Sequence, residues 1–197
     1  ANPRPVPDSK IDLANLADWH NFCRINNLKF DKVFDDADTS IGDVLAEIAA
    51  AGRAAKRHDG MKLGVVIDRP QAMLRVEDFS PRNSYGFKMT RSYIKPPDGF
   101  RIKFLDATND HKPTERLVPW PGKEGSEIKL TEALELPGVT DPDAIYLGGR
   151  RRMYEVIHRP DSYQVSLDTS VGVATRGDKV AVSQDVIDRT QKAARVK

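Results

Sequence analysis

The feature that most constrains this fold is a helix in the second half of the sequence whose start and end are both signalled locally. Thr140 or Asp141 can accept a hydrogen bond from one of the free N–H groups at a helix start. Pro142 suits the first helical position, because the donor that proline lacks would have no partner there. Pro160 disfavours helical geometry at the residue before it. These signals predict a helix over residues 142–158.

One face of this predicted helix should turn towards a core. The positions that share that face at helical spacing are Ile145, Gly149, Met153 and Val156. The pair Gly148-Gly149 leaves a flat spot where another backbone can approach closely. Strand-like runs follow the helix at residues 163–167, 171–174 and 179–182. A Gly-Asp turn between the last two runs predicts a β-hairpin.

Two more helices are predicted in the first third of the chain. The first covers residues 10–26, because Ser9 with Asp12 three positions later resembles a capping box. Its buried face should hold Leu13, Leu16, Trp19 (or His20) and Cys23, with Phe22 at the margin. The second begins after Ser40, with Asp43 in its first turn. Its apolar stripe is the most regular in the chain: Ile41, Val44, Leu45, Ile48, Ala49, Gly52 and Ala55.

Apolar or alternating runs predict further strands between these helices. They lie at residues 28–35, 62–68, 87–94, 100–105, 114–118 and 127–136. Phe30 and Phe34 should point to one side of the first run, and a His-Asp-Gly turn precedes the second. Separate runs of helices and strands indicate the α+β class. We expect mixed and antiparallel sheets with about three packed helices, two of which cover one face of an N-terminal sheet.

Composition along the chain predicts two subdomains. Residues 1–8 are proline-rich and typical of a linker. Residues 9–70 should form a small α+β subdomain, and residues 71–190 a β-rich α+β subdomain that contains the long helix. The boundary falls near residues 69–72, with an internal junction of one domain as the alternative. Residues 191–197 are a polar, basic tail, and an initial Ala instead of Met leads us to expect a piece of a longer polypeptide.

Composition also excludes several classes of protein. Apolar residues make up 39% of the 197 and charged residues 30%, which argues against a disordered chain. No run reaches the ~20 apolar residues of a membrane span, so we expect no membrane insertion. A net charge of +2 is too small to indicate a nucleic-acid partner. The single cysteine, Cys23, leaves no internal disulfide and no cysteine-rich metal site.

No pattern indicates a metal or a cofactor. The four histidines are scattered without metal-ligand spacing: His20, His58, His111 and His158. The acidic run at residues 35–40 could hold a divalent cation. It lacks the glycine and the terminal glutamate of a helix–loop–helix calcium loop, and helix capping explains it better. We therefore predict no metal ligand and no cofactor-binding residue.

No catalytic residue is predicted either. A nucleophile needs a base within hydrogen-bond reach and a third group to orient it, and no Gly-x-Ser-x-Gly turn occurs. Cys23 lies in an apolar stripe, where it is expected to be a small core residue. Carboxylate pairs for glycoside cleavage stay open as an alternative, because 29 acidic residues offer many pairs. None of them stands in a setting that would raise a pKa.

Three short motifs have a structural explanation that is simpler than a functional one. The arginines at 150–152 spread over about 300° of a helix surface, which predicts a solvated face or salt bridges to a neighbouring subunit before phosphate binding. The tripeptide at 176–178 spells a cell-adhesion motif, but Gly-Asp is common hairpin chemistry. Arg82-Asn83 is expected to form a turn that fixes the start of a strand.

Three segments, in this order and spacing, carry a resemblance to known proteins. They are FSPRNSYGF at residues 79–87, ELPGVTDPDAIYLGGRRRM at 135–153 and TRGDKVAVSQDV at 175–186. Together they resemble a tail-protein family of long-tailed bacteriophages. That family includes the tail tip attachment protein J and the baseplate-hub proteins of tailed phages and gene transfer agents. The resemblance covers the chain from about Ile11 to its end and brings no catalytic motif.

The resemblance implies a fragment of a tail-hub protein, a structural virion component that acts in tail assembly and, through its parent chain, in host attachment. It implies a homotrimer in the assembled tail, with other tail tip proteins and the tape-measure protein as partners. Its location would be the virion, and the bacterial host cytoplasm during assembly. No enzyme activity, small-molecule substrate or nucleic acid is expected. The alternatives are a tail-associated cell-wall hydrolase domain and, less favoured, a nucleic-acid-binding module.

Overall fold

The computed structural model describes residues 5–35, 39–70, 75–93, 95–167 and 173–184, and the backbone of 192–195. Within those ranges the helices are α1 (Leu13–Ile25), α2 (Ile41–Ala51) and α3 (Pro142–His158), preceded by a 3-10 turn at Asp8–Lys10. The strands are β1 (Ala54–His58), β2 (Leu63–Ile67), β3 (Glu77–Phe79), β4 (Ser84–Arg91), β5 (Gly99–Asp106), β6 (Lys112–Pro119), β7 (Thr131–Leu134), β8 (Asp161–Leu167), β9 (Lys179–Val182) and β10 (Lys192–Arg195). The predicted α+β class is confirmed.

The strands pair into small sheets with mixed directions. β1 pairs with β2, and β4 pairs antiparallel with β8. In the order β10-β9-β3, the central strand β9 is antiparallel to β10 and parallel to β3. In the order β6-β5-β7, β5 is antiparallel to β6 and parallel to β7. Among the described residues, no helix is long and apolar enough to cross a membrane.

Packing divides the chain into two compact units, each assembled from separated segments. The first unit takes residues 1–18, 55–91 and 161–197, and the second takes residues 19–54 and 92–160. Both units therefore draw on sequence from either side of residues 69–72. The linear boundary expected there stays a prediction.

In the second unit, α3 packs on the sheet β6-β5-β7. Alternation along β5 places Phe100, Ile102 and Phe104 on the buried face, with Ile102 fully buried. Ile145 and Met153 of α3 are also fully buried and pack in the same cluster. Removing side chains of this size from water stabilises a fold by ~1.5–3 kcal/mol each. The predicted helix bounds and its inward stripe are confirmed.

The two adjacent glycines of α3 have different neighbours. A Cβ on Gly149 would lie 3.0 Å from Ile102 Cδ1 and 3.1 Å from Val118 Cγ2, so glycine allows the helix to approach the sheet closely. A Cβ on Gly148 would lie 2.7 Å from Leu136 Cδ1. The flat spot is thus confirmed, but side chains fill it. The atoms nearest to both Cβ positions belong to side chains, and the close approach is that of the helix to the sheet.

In the first unit, β3 and β9 form a second apolar cluster. Phe79, Val180 and Val182 are buried in it, and Phe87 with Val165 packs against them. Three of the four residues of β9, the central strand of this sheet, are buried.

The turn between β3 and β4 explains the motif FSPRNSYGF. Asn83 Oδ1 accepts from the Ser80 N–H at 2.8 Å, while Asn83 Nδ2 donates to the Asp78 carbonyl at 2.8 Å. Ser84, which is buried, donates its hydroxyl to the Ser80 carbonyl at 2.7 Å. This network positions the first residue of β4, as predicted for the Arg82-Asn83 turn.

The start of α1 differs from the prediction. Asp12 Oδ1 accepts from the Asn15 N–H at 3.1 Å, so Asp12 and not Ser9 caps the helix, which begins at Leu13. Ser9 lies in the preceding 3-10 turn. Leu13, expected to be buried, is 58% exposed.

The end of α2 also differs. The predicted stripe extends to Ala55, but the helix ends at Ala51, and Ala55 lies in β1. Ser40 caps the start as predicted, accepting from the Asp43 N–H at 3.1 Å. Arg53, with φ +50°, turns the chain into a strand that pairs with β2.

Residues 28–35 form no strand, contrary to the prediction. Phe30 and Phe34 do stack on each other, with ring centroids 5.9 Å apart. The Asp31 N–H donates to the Gly138 carbonyl at 2.8 Å, and its carboxylate accepts from the Thr140 hydroxyl at 2.8 Å. Side-chain and loop hydrogen bonds therefore satisfy this segment in place of a ladder.

Most other predicted strands are present. β9 has the predicted bounds, and β2, β5, β6 and β8 differ by one to a few residues. β4 begins earlier than predicted and β7 is shorter, while Ile94 lies outside the described residues. Residues 173–174 form no strand, and residues 171–172 lie outside the described part. β9 pairs with β3 and β10, so the predicted hairpin was wrong. Within the polar, basic tail predicted at 191–197, residues 192–195 form β10.

Gly138 provides a test of this arrangement. Its φ is +71°, and a Cβ there would overlap the ring of Phe30. We expect Gly138→Ala to lower the free energy of unfolding by ~1–3 kcal/mol, measured by denaturant titration, because it combines backbone strain with a clash. Gly122→Ala is the matched control, since its φ is +86° but no atom lies within 4 Å of a Cβ. Equal losses in both variants would refute the close packing of Phe30 on Gly138.

Candidate functional site

A groove of about 260 Å³ in the second unit is the candidate site. Three separated segments line it: the residues after α1, the C-terminal end of α2, and the chain from β7 through α3. Its larger apolar side chains are Leu28, Leu134, Leu136 and Val139, and its small residues are Ala50, Ala51, Ala144 and Gly148. Its charged residues are Lys29, Arg53, Arg151, Arg152, Glu135 and Glu155.

Helix α3 supplies one wall of the groove through a single face. The lining positions on it are Ala144, Gly148, Arg151, Arg152 and Glu155. They recur at intervals of four, three, one and three residues, so they lie beside the buried stripe on neighbouring turns. The burial of Ile145, Gly149 and Met153 fixes the rotation of α3 and so turns this face to the groove.

The arginines at 150–152 divide between two surfaces. Arg151 and Arg152 both bind Glu155, at 3.5 Å and 2.8 Å, so this carboxylate serves two guanidinium groups. Arg150 is not a lining residue. It binds Glu124 at 2.5 Å and the Pro119 carbonyl at 3.2 Å. All three arginines thus have hydrogen-bond or ion-pair partners within the second unit: Glu155, Glu124 and the Pro119 carbonyl.

The C-terminal end of α2 forms the opposite part of the groove. Trp19 Nε1 donates to the Gly52 carbonyl at 2.9 Å, and the Trp19 ring lies so close that a Cβ on Gly52 would overlap it. Arg53 follows in a left-handed conformation, with φ +50°. Burial raises the pKa of the Cys23 thiol while the Arg53 charge acts to lower it. The net increase favours the thiol over the nucleophilic thiolate, as expected for a half-buried structural cysteine.

The other candidate residues from the sequence do not lie in the groove. His58 Nδ1 accepts from the Gly60 N–H at 3.2 Å in the turn before β2, and His158 stacks on Tyr154 with ring centroids 5.7 Å apart. His111 has φ +54° in the turn before β6. No group of three His, Cys, Asp or Glu residues in the described ranges could hold a metal ion. Asp36 and Asp38 of the acidic run lie outside those ranges, so the absence of a metal stays a prediction.

The carboxylates whose pKa is shifted move in the direction that keeps them ionised. Backbone hydrogen bonds from Lys62 and Met61 lower the pKa of Asp59. The pKa of Glu124 is lowered by a hydrogen bond from the Glu124 backbone N–H and by one from the Arg150 side chain. A hydrogen bond from Lys123, with backbone donors at 129 and 130, lowers the pKa of Asp98 to about 2. A general acid in glycoside cleavage needs the opposite shift. These three groups therefore stabilise loops.

The adhesion-like tripeptide is held within the first unit. Arg176 Nη1 donates to the Lys56 carbonyl at 3.1 Å. Asp178 accepts from the backbone and hydroxyl of Thr175 at 2.8 and 2.9 Å. Gly177 has φ +94° and lies against Val66. The turn is present as predicted, with a structural role.

Comparison with solved structures identifies a similar fold. The crystal structure of the tail protein from Neisseria meningitidis MC58 matches 90% of this chain with a TM-score of 0.50 and 10% sequence identity. The match covers 59% of that protein, so this chain spans well under two thirds of its length. No family model and no curated protein matches the sequence. The chain therefore shares its fold with a tail protein.

The sequence indicated one wall of the groove, on α3, but not the residues that complete it. The segment at 135–153 and its Gly148-Gly149 pair were singled out, and the positions at 144, 148, 151, 152 and 155 have helical spacing that could have been recognised. The contributions of Leu28 and Arg53 gave no signal. Both depend on errors made in the prediction, a strand at 28–35 and a helix that continued to residue 55.

The pKa of Asp98 leads to a prediction about stability. Because the folded pKa of about 2 lies below the ordinary 3.8, ionised Asp98 stabilises the protein at pH values above about 4, and this contribution is lost as the pH falls through 2. We expect Asp98→Asn to lower the melting temperature at pH 7 and the difference from wild type to shrink steadily below pH 4. Thermal unfolding followed by circular dichroism from pH 7 to 2 measures this.

Asp110→Asn is the control for Asp98. It removes the same charge from a side chain that is 90% exposed and that lies 3.8 Å from Lys112, so little change in melting temperature is expected. A difference between Asp98→Asn and wild type that stays constant with pH would contradict the assignment.

Proposed function

We propose that this chain is a structural component of a bacteriophage tail, in the tail tip or baseplate hub. The observation that carries the proposal is the similarity of fold to a tail protein over 90% of the chain. Fold alone does not specify function, so a second observation is needed. The three tail-protein-like segments of the sequence supply it, because they were recognised without reference to the fold.

The positions of these segments in the structure favour recognition over catalysis. FSPRNSYGF forms the turn from β3 to β4, held by the side chain of Asn83. ELPGVTDPDAIYLGGRRRM forms the capped start of α3 and much of the groove. The described part of TRGDKVAVSQDV contains a turn and β9. The described residues of all three shape backbone and surfaces, and among those residues no segment brings together a nucleophile, a base and an orienting group.

Within this function, we infer that the chain acts by fitting against other components of the particle. In the assembled tail it forms a homotrimer and contacts other tail tip proteins and the tape-measure protein. It resides in the virion and, during assembly, in the cytoplasm of the bacterial host. Host attachment belongs to the parent polypeptide. The exposed large apolar residues available for such contacts include Ile41, Leu117, Leu130 and Tyr154.

The test is to disrupt the gene that encodes this chain in the phage or prophage that carries it. We expect negative-stain electron microscopy to show particles with absent or incomplete tails, because a missing hub component blocks tail assembly. Mass spectrometry of purified wild-type particles should detect peptides of this chain. A plasmid copy should restore complete tails.

Two outcomes would contradict the proposal. Complete tails after disruption, together with absence of the chain from purified particles, would remove it from the virion. Clearing of bacterial cell wall by the purified chain in a zymogram would favour the hydrolase alternative. A DNA-retardation assay in low and high salt is the control for the nucleic-acid alternative, which predicts binding that falls steeply with salt.

A further inference from the structure

We propose that the groove in the second unit binds an extended, acidic, leucine-containing segment of another polypeptide. This inference concerns the binding chemistry of the groove, and it does not depend on where in a particle the chain resides.

The size of the groove suits side chains of a polypeptide. Its volume of about 260 Å³ lies below the roughly 300–1,000 Å³ of pockets that enclose small molecules. The side chains of Leu28, Leu134, Leu136 and Val139 are half-buried in the chain as it stands. An aliphatic side chain placed among them would remove further apolar surface from water, which is favourable. Ala144 and Gly148 leave this room because their side chains are small.

The charges of the groove favour an acidic occupant. Four cationic side chains line it, Lys29, Arg53, Arg151 and Arg152, against the two carboxylates of Glu135 and Glu155. The whole sequence has 31 basic and 29 acidic residues, so this local excess equals the net charge of the entire chain. Complementary charge steers and orients a partner, and lysine in place of glutamate or aspartate would be repelled.

The strand beside the groove favours an extended segment. β7 is the edge strand of the sheet β6-β5-β7 and leads directly into the lining residues Glu135 and Leu136. Edge strands accept extended polypeptides by main-chain hydrogen bonding, with alternate side chains entering pockets. A segment that contains both leucine and acidic residues offers leucine side chains to the apolar lining and carboxylates to the cations.

The conformation of Arg53 points to a role for its side chain. A left-handed residue at a helix end is usually glycine, because other residues are strained there. Here arginine occupies the position with φ +50° and lines the groove. Arginine at this position adds one of the four cations that line the groove. Such strain is found most often at sites that bind or switch.

The experiment measures fluorescence anisotropy of a labelled peptide that contains leucine and glutamate, added to the purified chain. We expect saturable binding that weakens as salt increases. A second peptide has lysine in place of glutamate, and a third has serine in place of leucine. Both should bind at least tenfold more weakly, since each loses one of the two recognition elements.

Two substitutions test the groove directly. Arg53→Gly should weaken peptide binding about two- to five-fold, the effect expected for loss of one ion pair, and circular dichroism at the temperature of the binding assay checks that the variant is folded. Arg152→Gln, at a side chain that is 59% exposed, should weaken binding similarly without affecting folding. The matched control is Arg101→Gln, because Arg101 is 52% exposed, pairs with Glu115 and lies on the opposite face of β5 from the core.

Several results would overturn the proposal. They are absence of saturable binding at about 1 mM peptide, equal binding of the lysine peptide, and equal effects of Arg101→Gln and Arg152→Gln. Self-association that Arg53→Gly abolishes, without peptide binding, would assign the groove to a second copy of this chain. Binding of anionic lipid vesicles in preference to the peptide would assign it to a membrane surface.

Discussion

The contact of α3 with the sheet β6-β5-β7 determines the geometry of the second unit. Ile145 and Met153 are fully buried against Ile102 and Val118, and Gly149 between them lets the helix approach the strands. Because close-packed interiors tolerate little change in volume, this contact fixes both the distance and the rotation of the helix. Every lining position of the groove on α3 follows from that rotation. The binding surface is therefore a consequence of the core.

Elements defined by local signals could be predicted, and elements defined by tertiary contacts could not. α3 has an N-cap, an N-terminal proline and a proline stop, and β5 alternates, so both were located closely. Residues 28–35 also alternate, yet Asp31 bonds to Gly138 and Thr140, more than a hundred residues away. Tertiary partners of this kind override the intrinsic tendency of a short apolar run to form a strand.

For the same reason, only part of the groove could be predicted from the sequence. Its α3 wall has a helical period and is visible in the sequence, whereas Leu28 and Arg53 reach the site only because a strand is absent and a helix stops early. Arg53 illustrates the difficulty. The C-cap of α2 is Gly52, yet the left-handed position is the arginine that follows it, and no local rule predicts that an arginine will accept this conformation.

This chain and a tail protein share a fold at 10% sequence identity, so core residues and surface residues have to be considered separately. A core requires apolar side chains of suitable volume and pattern, so its backbone arrangement persists while most of its residues change. Surface chemistry has no such constraint and varies with the partner. The shared fold therefore rests on the pattern of the core, whereas the cations of the groove belong to the surface chemistry of this sequence.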